Sequence, residues 1–241
     1  MQGTLLRMIR KNFMLQPYLI VIFLLAFSTA SSCAKRWDVL SPKEKVILLR
    51  IRTHWETWIL DRKKEGTAPL LTFEELYSGL GFEECKFLDR VRAINPKKSF
   101  GFKGNHLGGP EPGVRFKRID NQRMIKNGKS EVINPQYLPE NVYEAYERMM
   151  KAMGTDLGKR LLVDSGYRSP AYQLYVFLFY LPKHNYSLTE TGHWVALPGY
   201  SEHGAPHRQA IDFINEEGIN GDDGQRPEDF EALPEYRWLE R

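Results

Sequence analysis

Apolar residues recur at helical spacing over 40–64, at Val46, Leu49, Ile51, Trp55, Trp58 and Ile59, behind Ser41-Pro42 and Glu44. A serine able to cap, a first-turn proline and a glutamate close behind predict a helix start. A second short helix is expected over 72–80, ended by Gly81. Residues 95–139 collect Gly, Pro, Asn and Lys around a β-type piece at 113–117, the pattern of loops with a hairpin. From 140 to 153, Val142, Tyr143, Tyr146, Met149, Met150 and Met153 mark one apolar helix face, stopped at Gly154. A short strand over 161–163 follows. Ser169-Pro170 then opens a helix that is apolar nearly all round as far as Leu181, so it should be buried. Residues 209–215 read as another strand. Helix–strand–helix–strand order with loop insertions predicts an α+β fold, a small antiparallel sheet with helices packed on one side and an N-terminal helical addition.

Composition narrows the class. The 241 residues are 42% hydrophobic and 27% charged, which excludes long disorder and a polytopic membrane protein. The net charge is +4, but residues 1–32 hold Arg7, Arg10 and Lys11 and no acid, which leaves the remainder at +1. A nearly neutral body offers no footprint for nucleic acid. The three cations precede an apolar run to Phe27 and the small residues Ser28-Thr-Ala-Ser-Ser-Cys33. That order predicts a secretory signal over 1–33, and Ala30-Ser-Ser-Cys33 is similar to a lipoprotein box in which Cys33 would carry the lipid. The expected location is the periplasm or cell envelope, with membrane attachment through Cys33 or an uncleaved signal. Cys85 would then be an apolar filler. The expected divisions are 1–33 signal, 34–136 helical and loop-rich extension, and 137–241 a C-terminal domain.

Two clusters can carry chemistry. In a strand over 209–215, Asp212 shares a face with Ala210 and Ile214. A carboxylate there needs a partner, since an unpaired buried charge costs several kcal/mol. His203 sits on the Gly/Pro-rich loop 198–206 and can fold toward that face. The pair reads either as two metal donors or as a loop histidine beside an aspartate held by arginine or backbone. In Val163-Asp-Ser-Gly-Tyr-Arg-Ser169, Arg168 stands just ahead of a helix N-terminus with Gln173 one turn inside. It can grip an anionic group such as a peptide C-terminus, or serve as a structural ion pair.

Taken together, Ser165-Gly-Tyr-Arg-Ser169 with Gln173, Pro198-Gly-Tyr-Ser-Glu-His203 and Ala210-Ile-Asp-Phe213 resemble the D-alanyl-D-alanine carboxypeptidase family. These are zinc peptidases related to the vancomycin-resistance carboxypeptidases and, more distantly, to hedgehog signalling domains. The likeness runs from about Tyr137 to Arg241. It implies that His203 and Asp212 are two of three protein ligands to a catalytic Zn2+. It further implies that Arg168 polarises the scissile carbonyl or holds substrate, and that Gln173 and Ser201 touch substrate. The implied reaction is metal-assisted hydrolysis of D-Ala-D-Ala-type bonds in peptidoglycan stem peptides, with a glutamate as base.

Two departures accompany the likeness. The His203–Asp212 interval is two residues longer than usual, so either 204–208 bulges outward or His207 is the ligand. The helix expected over 233–240 is not followed by the Glu-x-x-His or Trp-His element that supplies the base and the third ligand. His193-Trp194 lies upstream and reads as loop packing. The chain as written is therefore expected to be an incomplete copy of low activity. The alternatives are a non-catalytic cell-wall peptide or zinc-binding module, and an endopeptidase acting elsewhere in the stem.

Overall fold

The computed structural model describes residues 38–221 and 224–241, so the expected signal and Cys33 lie outside the described residues. Helix α1 (Pro42–Glu65) begins at Ser41, whose side chain and that of Glu44 satisfy each other's backbone N–H groups, and ends at Gly66 in the left-handed region. Its buried stripe is Ile47, Leu48, Ile51, Trp55 and Ile59, whereas Val46 and Leu49 are exposed. The stripe is rotated from the expected one because of a neighbour the sequence pattern passed over. That neighbour is α3 (Phe82–Arg92), whose Phe87, Leu88 and Val91 are buried in the same cluster. The short α2 (Phe73–Tyr77) and α4 (Pro96–Ser99) flank it. Among the described residues no helix is long and apolar enough to cross a membrane.

The loop-rich stretch contains four short strands, β1 (Phe116–Ile119), β2 (Arg123–Lys126), β3 (Lys129–Val132) and β4 (Gln136–Pro139). β2 and β3 form the expected kind of hairpin around Asn127-Gly128, both at positive φ, as a tight two-residue turn requires. β1 pairs with β4, and β5 (Leu161–Ser165) with β6 (Asp212–Asn215). The fold is α+β as expected, with the strands divided into three antiparallel two-stranded ladders. Two isolated strands are marginal by themselves, and here backbone bonds join the ladders: Tyr167 N–H donates to Tyr137 O, and Ile125 N–H to Glu216 O. The buried Gln122 amide caps the free edge of β5, accepting from Val163 N–H at 2.8 Å and donating to Val163 O at 2.9 Å.

Helix α5 (Glu140–Leu157) runs through Gly154 and stops at Gly158 instead, burying Tyr146, Met150 and Met153 against β4 and β5. Helix α6 (Pro170–Tyr180) is capped by Ser169 and buried on most sides, as its composition predicts. His193 and Trp194 close α7 (Leu188–Trp194), so they are helical and not loop, and Trp194 is exposed. Two short helices, α8 (Pro227–Glu231) and α9 (Pro234–Leu239), follow β6.

One apolar cluster takes residues from α1 and α3 together with Leu174, Phe177 and Leu178 of α6. The N-terminal segment and α6 therefore share a single core. Chemical unfolding followed by tryptophan fluorescence is expected to show one transition. Leu174→Ala should lower its free energy by about 2–5 kcal/mol, and two resolved steps would contradict a shared core.

Candidate functional site

The β5–β6 ladder is regular from Leu161 opposite Asn215 to Val163 opposite Phe213. It then skips a residue, so that Ser165 faces Asp212. This bulge, at Asp164, re-aims the strand end and brings Ser165, Arg168 and Asp212 to one place. Gly166 follows, packed so closely on β4 that a Cβ there would run into the Tyr137 carbonyl. Its own carbonyl faces His203 Nδ1 at 2.8 Å, while Arg168 N–H donates to His203 O at 2.9 Å. The turn after β5 and the loop before β6 thus hold each other through two bonds.

The side chains converge on one carboxylate oxygen. Arg168 Nη2 donates to Asp212 Oδ2 at 3.0 Å, and His203 Nε2 lies 3.2 Å from the same atom. Arg168 Nε donates to Ser165 Oγ at 2.9 Å, and Nη1 reaches Gln173 Oε1 at 3.5 Å. Gln173 is buried and donates to Ala196 O at 2.8 Å, so its amide braces the guanidinium against the backbone. Ser201 is buried on the same wall. Arg168, Gln173, Ser201, His203 and Asp212 line one cavity of about 970 Å3 that also meets Tyr180, Lys183 and Trp194. His207 is exposed on the turn Pro206–Arg208, which takes up chain between the two motifs. It is His203 that faces Asp212.

A carbonyl can only accept, so His203 Nδ1 must carry a proton to bond Gly166 O. A neutral ring then turns the Nε2 lone pair toward the Asp212 carboxylate. The approach is favourable only with a proton or a cation between them. Two donors at ~2.0–2.1 Å from a tetrahedral zinc stand about 3.3 Å apart, close to the 3.2 Å seen here. The donors suit zinc in kind and spacing, and the carbonyl behind the imidazole is the usual orienting partner. They are two where a catalytic site takes three, and among the described residues no group of three His, Cys, Asp or Glu could hold a metal.

Ser165 lies within a motif that gave it no role, and the bulge was invisible to pattern reading, because a bulge depends on the partner strand's register. The strand over 209–215 is shorter than expected, beginning at Asp212, whose side chain is half-exposed at the cavity rim. Burial works to raise the Asp212 pKa, but the hydrogen bond and charge of His203, together with the Arg168 guanidinium, hold the carboxyl below its ordinary 3.8. Its tie is therefore present above the unfolded-state value of about 3.9 and is lost as pH falls through the lower folded value. Asp212→Asn should cost about 1 kcal/mol at neutral pH. The gap from the parent should close in acid, as read by urea unfolding across pH.

A family model for D-alanyl-D-alanine carboxypeptidase (VanY) matches residues 135–241. No curated protein and no solved structure matches the chain. The match covers less than half of the chain, and it contains Arg168, Gln173, Ser201, His203 and Asp212. Over residues 135–241 the chain is similar to the D-alanyl-D-alanine carboxypeptidase family.

Proposed function

We propose that this domain acts on the D-Ala-D-Ala ends of peptidoglycan stem peptides, at the cell envelope, with zinc held by His203 and Asp212. The observation that carries the reading is the meeting of Arg168 and His203 on one Asp212 oxygen at the wall of a cavity large enough for a peptide end. The signal-like N-terminus agrees with work outside the cytoplasm.

Arg168 borders the cavity and supplies a planar fork suited to a terminal carboxylate or a peptide carbonyl. Ser165 and Gln173 fix that fork, so little side-chain freedom is lost on binding. Ser201 lies where a hydroxyl can meet the peptide backbone. Gly166 O keeps a proton on His203 Nδ1, leaving Nε2 free to ligate. A zinc ion bound there would supply Lewis acidity and an acidified water. A third donor and a general base are not assigned among the described residues.

A second reading is a module that binds the same peptide end without cutting it. Release of D-Ala from a D-Ala-D-Ala peptide separates the two. Zinc-dependent release, abolished by His203→Ala, identifies the peptidase, and peptide binding without release identifies the module. In either case zinc titration should lose its site in His203→Ala and Asp212→Ala. Arg168→Ala should keep zinc while weakening peptide binding at least about tenfold, or roughly 1.4 kcal/mol. Undiminished peptide affinity in Arg168→Ala would refute the assignment.

A further inference from the structure

The cavity continues past Arg168. A second cleft of about 460 Å3 shares Arg168, Val176, Tyr180, Lys183 and Asp212 with the first, and Lys63 borders it. Lys63 stands in the last turn of α1, outside the family-matched segment. On this cleft lies Phe179, in the last turn of α6 and 39% exposed. Three cations surround its ring: Arg52 at 5.1 Å from the centroid, Lys63 at 5.8 Å and Lys183 at 6.0 Å. Lys63 also lies 5.1 Å from the Tyr175 ring, and Lys183 lies 4.3 Å from that of Tyr180.

Such contacts offset part of the cost of bringing like charges together, at about 0.5–1 kcal/mol each where exposed. They do not neutralise it. Burial pushes the Lys63 pKa down, the mark of an ammonium short of water. Among the described residues no carboxylate lies within 4.0 Å of any of the three cations. Two of the acids around the cleft are engaged: Asp212 holds Arg168 and faces His203, and Asp164 accepts from Asn220. Glu56, exposed one turn along α1 from Arg52, acts on Tyr175 and offsets part of the Arg52 charge, which leaves Lys63 and Lys183 as the excess.

We propose that this cleft is an anion subsite in which Lys63 and Lys183 hold a side-chain carboxylate of the peptide substrate, with Arg52 adding to the field. The proposal rests on the D-Ala-D-Ala reading above. A carboxypeptidase substrate ends one residue beyond the bond that is cut, so any further contact is made by residues before it. Gln173 and Phe179 are six residues apart on α6, about 9 Å along the axis. An extended peptide covers that distance in about three residues. The acidic residue therefore stands two or three positions before the cut bond. In this arrangement the N-terminal segment supplies a substrate contact as well as a core.

The test measures binding to the full chain of two peptides ending in D-Ala-D-Ala. They differ in one group, a free side-chain carboxylate or its carboxamide at the second or third position before the final bond. The chain is expected to prefer the acid by about tenfold. Lys63→Met and Lys183→Met should each remove most of that preference and leave the carboxamide peptide's affinity within about twofold. Lys183 is exposed, so its variant stays folded even if Lys63→Met does not. Arg168→Ala should weaken both peptides alike. Equal affinity for the two peptides in the unaltered chain overturns the subsite and leaves the D-Ala-D-Ala reading standing, whereas binding of neither overturns both. A polyglycerol phosphate gives a further arm. If its binding is lost in Lys183→Met while the peptide preference persists, the cations serve a polymer phosphate and the proposal fails.

Discussion

The site depends on one shared atom, Asp212 Oδ2, on which a guanidinium and an imidazole meet. At the cavity rim, where the effective dielectric is about 20, two unit charges 4 Å apart attract by about 4 kcal/mol before desolvation is counted. Desolvation and side-chain ordering cancel much of that. The contribution to stability is therefore modest, and the larger effect is positional. Arg168, otherwise a long flexible side chain, is fixed at four points: its backbone N–H on His203, Nε on Ser165, Nη1 on Gln173 and Nη2 on Asp212.

That arrangement follows from backbone geometry more than from side-chain choice. A bulge in β5 places Ser165 opposite Asp212. Without a side chain at 166, the turn can lie against the Tyr137 carbonyl and offer its own carbonyl to His203. The buried Gln122 amide and the Tyr167–Tyr137 bond complete the hydrogen bonding of a strand that has a single ladder partner. Alanine at 166 would push on β4 and carry His203 with it, although neither residue belongs to the same element.

Local chemistry was legible in the sequence, and long-range register was not. Ser41, Ser169 and the Asn127-Gly128 turn announce themselves because capping and turn formation involve residues within a few positions of one another. Arg168 stood out ahead of a helix cap, His203 on a Gly/Pro-rich loop and Asp212 as a carboxylate between apolar strand positions. The buried face of α1 departs from the expected one at Val46 and Leu49, which stand beside the equally apolar Ile47 and Leu48. Both faces are apolar, and the choice is made by α3, which carries charges between its core residues. The helix over 140–157 outlasted its expected stop because Gly154 needs no left-handed φ, whereas Gly158 adopts one. The β5 bulge could not be read from either strand alone.

Net charge was the least informative quantity. The body carries about one excess positive charge, yet three cations gather around Phe179 while acids pair with arginines elsewhere, as Glu44 does with Arg90 and Glu75 with Arg62. Lys63 and Lys183 come to the same ring at an electrostatic cost that full exposure to solvent would spare them. Lys63 is held there by packing: α1 is locked onto α6 by Trp55 and Ile59, and its last turn must pass beside Tyr175, 5.8 Å from Trp55. Lys183 reaches the same cleft from the turn that follows α6. Two segments far apart in sequence thus deliver like charge to the mouth of a cavity whose other end holds Arg168, and a carboxylate-bearing ligand would relieve that repulsion.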